Sequence, residues 1–162
     1  MFKQMKVTGL VMDPHSNTPI LVLKDVTDET TLPIWIGLLE ATAIATELEN
    51  IQFPRPMTHD LIRDILEELG GRVECIVITE LRDRTYFAEV RILLGGQRHI
   101  VSSRPSDAVA IAVRVDCPIY AEEELLDAEG VILPEEEEEV EADELVSEFR
   151  DFIEGIRPED FG

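Results

Sequence analysis

Ser102-Ser103-Arg104-Pro105-Ser106-Asp107-Ala108-Val109-Ala110-Ile111-Ala112-Val113 sets a polar, charged cluster against the opening of a small-residue apolar helix. Proline costs nothing in a helix's first turn, where its missing N–H is not needed and its fixed φ is already helical. The chain therefore turns from strand to helix near Arg104. The helix from Pro105 to Val115 is apolar nearly all round, which predicts burial, and its alanines allow a sheet or another helix to approach closely. At its amino end, free N–H groups meet a guanidinium, a hydroxyl and a carboxylate. Two readings stand open there: an anion site, drawn by the partial positive charge of the helix end, or a well-capped helix start, which Ser106 and Asp107 serve equally well.

Outward from this stretch the pattern is that of an α+β domain with a mixed, mainly antiparallel sheet, hairpins and about three packing helices. Apolar runs at Lys3 to Val11 and Pro19 to Val26 flank the turn formers Asp13-Pro14-His15-Ser16-Asn17 and predict a hairpin. Thr31 to Ile36 reads as a third strand at an edge or bulge, because Pro33 removes a ladder donor. A helix is expected over Leu38 to Asn50, with Ala41, Ile44, Ala45 and Leu48 on one side. A second runs from Thr58, its candidate N-cap, to Leu69, with a stripe of Leu61, Ile62, Ile65, Leu66 and Leu69 and a stop at Gly70-Gly71. Val73 to Leu81, Tyr86 to Leu94 and Arg98 to Ser102 form a meander, and Cys117 to Tyr120 adds a short strand.

Charge divides the chain. Residues 131–162 hold 13 acids against two arginines, and residues 1–130 hold 22 acids against 12 bases, for a formal charge of -21. Five consecutive glutamates, Glu135 to Glu139, repel one another and read as a linker. Beyond them Leu145, Val146, Phe149, Phe152, Ile153 and Ile156 recur at helical spacing. The division is thus a domain over 1–130, then an acidic linker and C-terminal amphipathic helix over 131–162, whose stripe covers its own domain or a second subunit. With the proline-bearing strand and the buried-type helix, it predicts a homodimer or higher homo-oligomer. The acidic balance argues against a general nucleic-acid binder, whose affinity comes from Lys and Arg on phosphates. A local groove stays open, because Arg82, Arg84, Arg91, Arg98 and Arg104 fall within 23 residues. Met1 to Lys6 lacks the apolar core of a signal peptide and no run is long enough to span a bilayer, so a cytoplasmic protein without membrane attachment is expected. Cys75 and Cys117, far apart and set among apolar residues, read as free thiols.

Polar residues on the helices supply the candidate chemistry. His59 and Arg63, and Asp60 and Asp64, are four apart and project from one face of the second helix. They suit a general acid or base at His59, a carboxylate that orients it or a pair holding Mg²⁺ or another divalent cation at Asp60 and Asp64, and a phosphate clamp at Arg63. A solvated helix face explains the same residues. Glu40 falls on an otherwise apolar first turn, where a carboxylate takes part in acid–base chemistry or pairs with an arginine. His99 is expected in a core or pocket as a structural histidine. No P-loop, GxGxxG, HExxH, GxSxG or paired CxxC occurs, which removes support for most nucleotide-dependent and zinc hydrolase classes.

Four segments, in order, resemble the bifunctional nuclease family of bacteria and plants: LPIWIG at 32–37, RPMTHDLIRDIL at 55–66, SSRPSDAVAIAVR at 102–114 and PIYAEE at 118–123. The likeness covers roughly residues 3 to 130. The ending EFRDFIEGIRPEDF at 148–161 is similar to the tail of actinobacterial-type members, and nothing resembles the UVR-like motif that follows the domain in plants. The resemblance implies a hydrolase that cleaves DNA and RNA with little sequence preference. It transfers no settled catalytic residues, so chemistry selects them from the matching motifs. Glu40, His59, Asp60 and Asp64 are the catalytic candidates. Arg63, Arg104, Ser106 and Asp107 are the phosphate-binding candidates, and Asp60 with Asp64 the candidate ligands of a divalent cation. An acidic chain implies weak, salt-sensitive contact with the polyanion. The same arginines would serve a non-enzymatic module that binds an anionic ligand or a protein partner.

Overall fold

The computed structural model describes residues 1–132. The glutamate run at 135–139 and the apolar spacing from Leu145 to Ile156 lie outside them. Eight strands and four helices follow one another as β1 (Phe2–Asp13), β2 (Thr18–Asp25), β3 (Thr30–Trp35), α1 (Leu38–Leu48), α2 (Thr58–Glu68), β4 (Arg72–Arg82), β5 (Thr85–Leu94), β6 (Gln97–Ser103), α3 (Pro105–Val115), β7 (Ile119–Glu122), α4 (Glu123–Glu129) and β8 (Val131–Ile132). The strands make one sheet in the order β6-β5-β4-β7-β1-β2-β3-β8. All neighbours are antiparallel except β4 and β7, which pair Ile76 with Ile119 in parallel. The architecture is α+β, with both expected hairpin systems present and β7 joining them.

The Pro33 donor gap is harmless because β8 pairs only with Thr30 and Thr31, so the rest of β3 is a free edge. On β2 and β3, Leu21, Leu23, Leu32 and Ile34 are buried. They belong to one core with Ile44 of α1 and Val109 of α3. Helix α3 packs against α1, α2, β4 and β5. It buries seven residues, Pro105, Ser106 and Ala108 to Ala112. Full burial of Val109 or Ile111 contributes about 2 kcal/mol each, and the intervening alanines let α1 and α2 approach. Asp116, in the left-handed region with φ 58°, ends the helix.

Three expectations change. The N-cap of α2 is Met57, and the carboxylate that satisfies this helix end is Asp60, three residues on, whose Oδ2 accepts the Met57 N–H at 3.0 Å. The stripe of α2 is only partly a core face: Ile62 and Leu66 pack inward, whereas Leu61, Ile65 and Leu69 are 50%, 50% and 64% exposed. His99 lies exposed on the edge strand β6, away from core and pocket. The helix α4 and strand β8 carried too little periodicity to be read from the sequence. Among the described residues, no helix is long and apolar enough to cross a membrane.

Candidate active site

The amino ends of α1, α2 and α3 meet at one place. Glu40 stands in the first turn of α1, His59 in the first turn of α2, and Arg104 is the N-cap of α3 with Asp107 in its first turn. A continuous chain of hydrogen bonds links them. Arg104 Nη1 donates to Glu40 Oε1 at 2.8 Å. Its Nε and Nη2 donate to Asp107 Oδ2 and Oδ1 at 2.8 and 3.2 Å. His59 Nε2 lies 2.9 Å from Asp107 Oδ1. These four residues line a cavity of about 380 Å³ with Leu39, Phe53 and Met57 among its apolar walls. Each of the three helix ends already carries a carboxylate, Glu40 on α1, Asp60 on α2 and Asp107 on α3, so the groups left for an anion are the unengaged N–H groups of Arg104.

The protonation states follow from the contacts. Burial opposes ionisation of Asp107, but hydrogen bonds from Arg104 and His59 outweigh it and hold its pKa below the usual aspartate value. Hydrogen bonds to Asp107 and Glu40 keep the Arg104 guanidinium still more firmly charged. An ionised Asp107 only accepts, so the proton of this hydrogen bond sits on His59 Nε2 and Nδ1 is the basic nitrogen. Arg104 is 64% exposed and three of its five N–H groups are engaged, which leaves two for a ligand. Gly37 permits the geometry at α1: a Cβ there would run into the Glu40 carboxylate, which folds back over this N-cap.

The other candidates lie elsewhere. Asp60 turns inward, its Oδ1 accepting from Arg114 Nε at 2.8 Å and its Oδ2 from the Met57 N–H. Desolvation works against its charge, yet these two hydrogen bonds keep its pKa below the ordinary value. Asp64 pairs with Arg63 at 3.2 Å. Arg63 borders a separate groove of about 700 Å³ with Leu66, Arg72 and Arg98. Ser106 is buried and lines a third, smaller cavity on the far side of Arg104. The Asp60 and Asp64 carboxylates do not fit a hard divalent cation, which needs several uncommitted oxygens, because both oxygens of Asp60 and one of Asp64 already accept from cations or amide. Among the described residues no three His, Cys, Asp or Glu side chains gather as a metal set.

Arg114 was not a sequence candidate. Its side chain is 2% exposed. It donates to Asp60, to the Ala43 carbonyl of α1 at 2.9 Å and to the Ala110 carbonyl of α3 at 2.8 Å. It thereby ties together the three helices whose ends form the cavity. The only signal for it was a lone cation closing an otherwise apolar helix.

The bifunctional nuclease domain model matches residues 21–134, which enclose every candidate residue. The chain belongs to the bifunctional nuclease domain family. Within curated proteins it is 40% identical to an uncharacterized protein of Mycobacterium tuberculosis, over 98% of this chain and 97% of that one. It is 30% identical to bifunctional nuclease 2 of Arabidopsis thaliana over 73% of this chain, and 29% identical to bifunctional nuclease 1 of Oryza sativa subsp. indica over 65%. The matched parts make up 36% and 32% of those two plant proteins. The strand β1 precedes the matched segment, although it pairs with both β2 and β7 in the middle of the sheet.

Proposed function

We propose that this bifunctional nuclease domain hydrolyses phosphodiester bonds of DNA and RNA with little sequence preference, by acid–base catalysis. The observation that carries the reading is the Glu40–Arg104–Asp107–His59 chain at the junction of three helix amino ends. Asp107 orients the imidazole, and His59 Nδ1 takes a proton from water as its oxygen attacks phosphorus. The bond to the leaving oxygen breaks, and the imidazolium returns the proton there. The two spare N–H groups of Arg104 stabilise charge on the phosphoryl oxygens, with Glu40 holding Arg104 in place. Arg63 takes a phosphate farther along the strand from its separate groove, Ser106 is too buried to do so, and Asp60 serves as a positioning residue through Arg114. The free thiols Cys75 and Cys117 suit a cytoplasmic setting.

Labelled single-stranded DNA and RNA, incubated with wild type, His59→Ala and Asp64→Ala purified in parallel, test this reading. Loss of about 10²- to 10⁴-fold in His59→Ala, near-normal cleavage by Asp64→Ala and little effect of EDTA are expected. Added salt should slow cleavage steeply. Equal cleavage by all three proteins would mark a contaminant. Binding without cleavage would favour the non-enzymatic anion-binding module. We also propose a homodimer, on the exposure of Leu61, Ile65 and Leu69 along one face of α2. Light scattering that gives a monomer at micromolar concentration rejects it.

A further inference from the structure

We propose that Trp35 and Arg84 form a subsite for single-stranded nucleic acid beside the candidate active site, with one base stacked on the indole and the adjacent phosphate on the two arginines. The inference rests on the nuclease reading and names the substrate class it selects. A cavity of about 250 Å³ is lined by Trp35, Gly37, Glu40, Arg84, Arg104 and Ser106, among others. Glu40 and Arg104 also line the His59 cavity, so the two spaces adjoin on opposite sides of that ion pair.

Trp35, the chain's single tryptophan, ends β3 and is 53% exposed. It is nonetheless tethered, because Nε1 donates to Asp13 Oδ2 at 3.0 Å, and Asp13 itself accepts from the His15 N–H and the Ser16 hydroxyl. A tethered, half-exposed indole adds little to the core, but it presents a π-surface on which any base can stack.

Arg84 supplies an independent observation. It occupies the second position of the two-residue turn between β4 and β5, where Arg82 pairs with Thr85. Asp83 and Arg84 both adopt left-handed φ, 51° and 63°. That turn favours glycine at the second position, so arginine there costs conformational energy the fold does not require. No ion pair holds Arg84 among the described residues. The strained turn therefore delivers a cation with no ion pair among the described residues to the cavity that Arg104 shares. Bases within a duplex stack on one another and have no free face for Trp35, so the subsite selects unpaired strands and tolerates any sequence.

Full-length His59→Ala protein, titrated with a labelled single-stranded oligonucleotide and with its duplex, tests the subsite through Trp35 emission and label anisotropy. The single strand should quench the emission and bind about tenfold more tightly than the duplex. Trp35→Ala should lose about tenfold in single-strand affinity and abolish the preference. Arg84→Gly should weaken binding and lower the salt slope by about one, while its melting temperature holds or rises. Single-strand binding with unchanged emission and unchanged affinity in Trp35→Ala would overturn the subsite and leave the nuclease reading standing. Emission that shifts on dilution of the protein alone would place Trp35 in a contact between copies and overturn it as well. Absence of binding by His59→Ala together with absence of cleavage by the wild type on every oligonucleotide would instead overturn the nuclease reading, and the subsite with it.

Discussion

His59 Nε2 and Asp107 Oδ1 lie 2.9 Å apart, although 48 residues separate them and each belongs to a different helix. The side chains are 12% and 29% exposed, so the pair sits at the edge of the core with one face toward the cavity. Arg104 grips the other side of the same carboxylate. A carboxylate held by two cationic or donor groups cannot rotate, and the imidazole inherits that rigidity. The ring is therefore oriented before substrate arrives, the condition under which a general base gains most.

Asp107→Asn should reduce cleavage by about 10²- to 10⁴-fold with much smaller change in oligonucleotide affinity, because the amide permits the other tautomer of His59. Asn can donate as well as accept, so Nε2 need no longer carry the proton and Nδ1 ceases to be reliably basic. The check is kcat against KM on a single-stranded substrate. A variant whose KM alone rises would show Asp107 to act only in binding.

Arg114→Met should be a stability variant. It leaves Asp60 facing the helix junction without its cation and removes one donor from the Ala43 carbonyl, which keeps the Thr46 hydroxyl at 3.2 Å. Loss of one partner of such a pair costs about 3 kcal/mol, or on the order of 10 °C in melting temperature for a chain of this size. Asp60→Asn combined with Arg114→Met should recover part of that loss in urea titrations. A single-variant change under about 1 kcal/mol would contradict the clamp.

How much of this was legible beforehand depended on range. The turn at Arg104-Pro105 and the hairpin around Asp13-Pro14-His15-Ser16-Asn17 announce themselves because their physics is local: fixed φ, missing donors and side chains that bond a residue or two away. Likewise Glu40, His59, Arg104 and Asp107 stood out as polar residues at helix starts. Their convergence did not, since it depends on α3 lying between α1 and α2. Asp60 and Asp64 looked like a pair because i and i+4 share a helix face. The N-cap at Met57 and the distant Arg114 drew Asp60 away from Asp64, and neither effect follows from spacing. Arg114 itself resembled a cation placed to suit the carboxyl end of a helix, and only the packing of three helices shows it to be buried. The position of β7 between β4 and β1 is likewise a long-range outcome.

Acid should destabilise the fold through Asp107 and Asp60. Each has a folded-state pKa below its unfolded value, so it binds fewer protons folded than unfolded. Their stabilisation is complete above the unfolded aspartate value of about 3.9 and disappears as the pH falls through the lower folded values. Melting temperature should therefore be nearly flat from pH 7 to about 5 and drop steeply below about 4. Asp107→Asn should show a shallower drop over the same acid range. An identical acid slope in wild type and variant would mean that Asp107 is no more acidic folded than unfolded.

Gly37→Ala separates the site from the scaffold that carries it. Gly37 has φ -75° and ψ 162°, a conformation alanine adopts without strain, so the backbone imposes no requirement for glycine. The obstacle is the Glu40 carboxylate, which occupies the space of the new methyl group. Because that carboxylate is the free end of a flexible side chain, it will swing aside, and the 2.8 Å contact with Arg104 will be lost. Stability should stay within about 1 kcal/mol of wild type, since the Arg104 side of the ion pair is exposed to solvent. Activity should fall as far as it does in Glu40→Ala, and Gly37→Ala combined with Glu40→Ala should be no worse than either alone. Additive losses in that double variant would show that Gly37 acts on the site by a route other than Glu40.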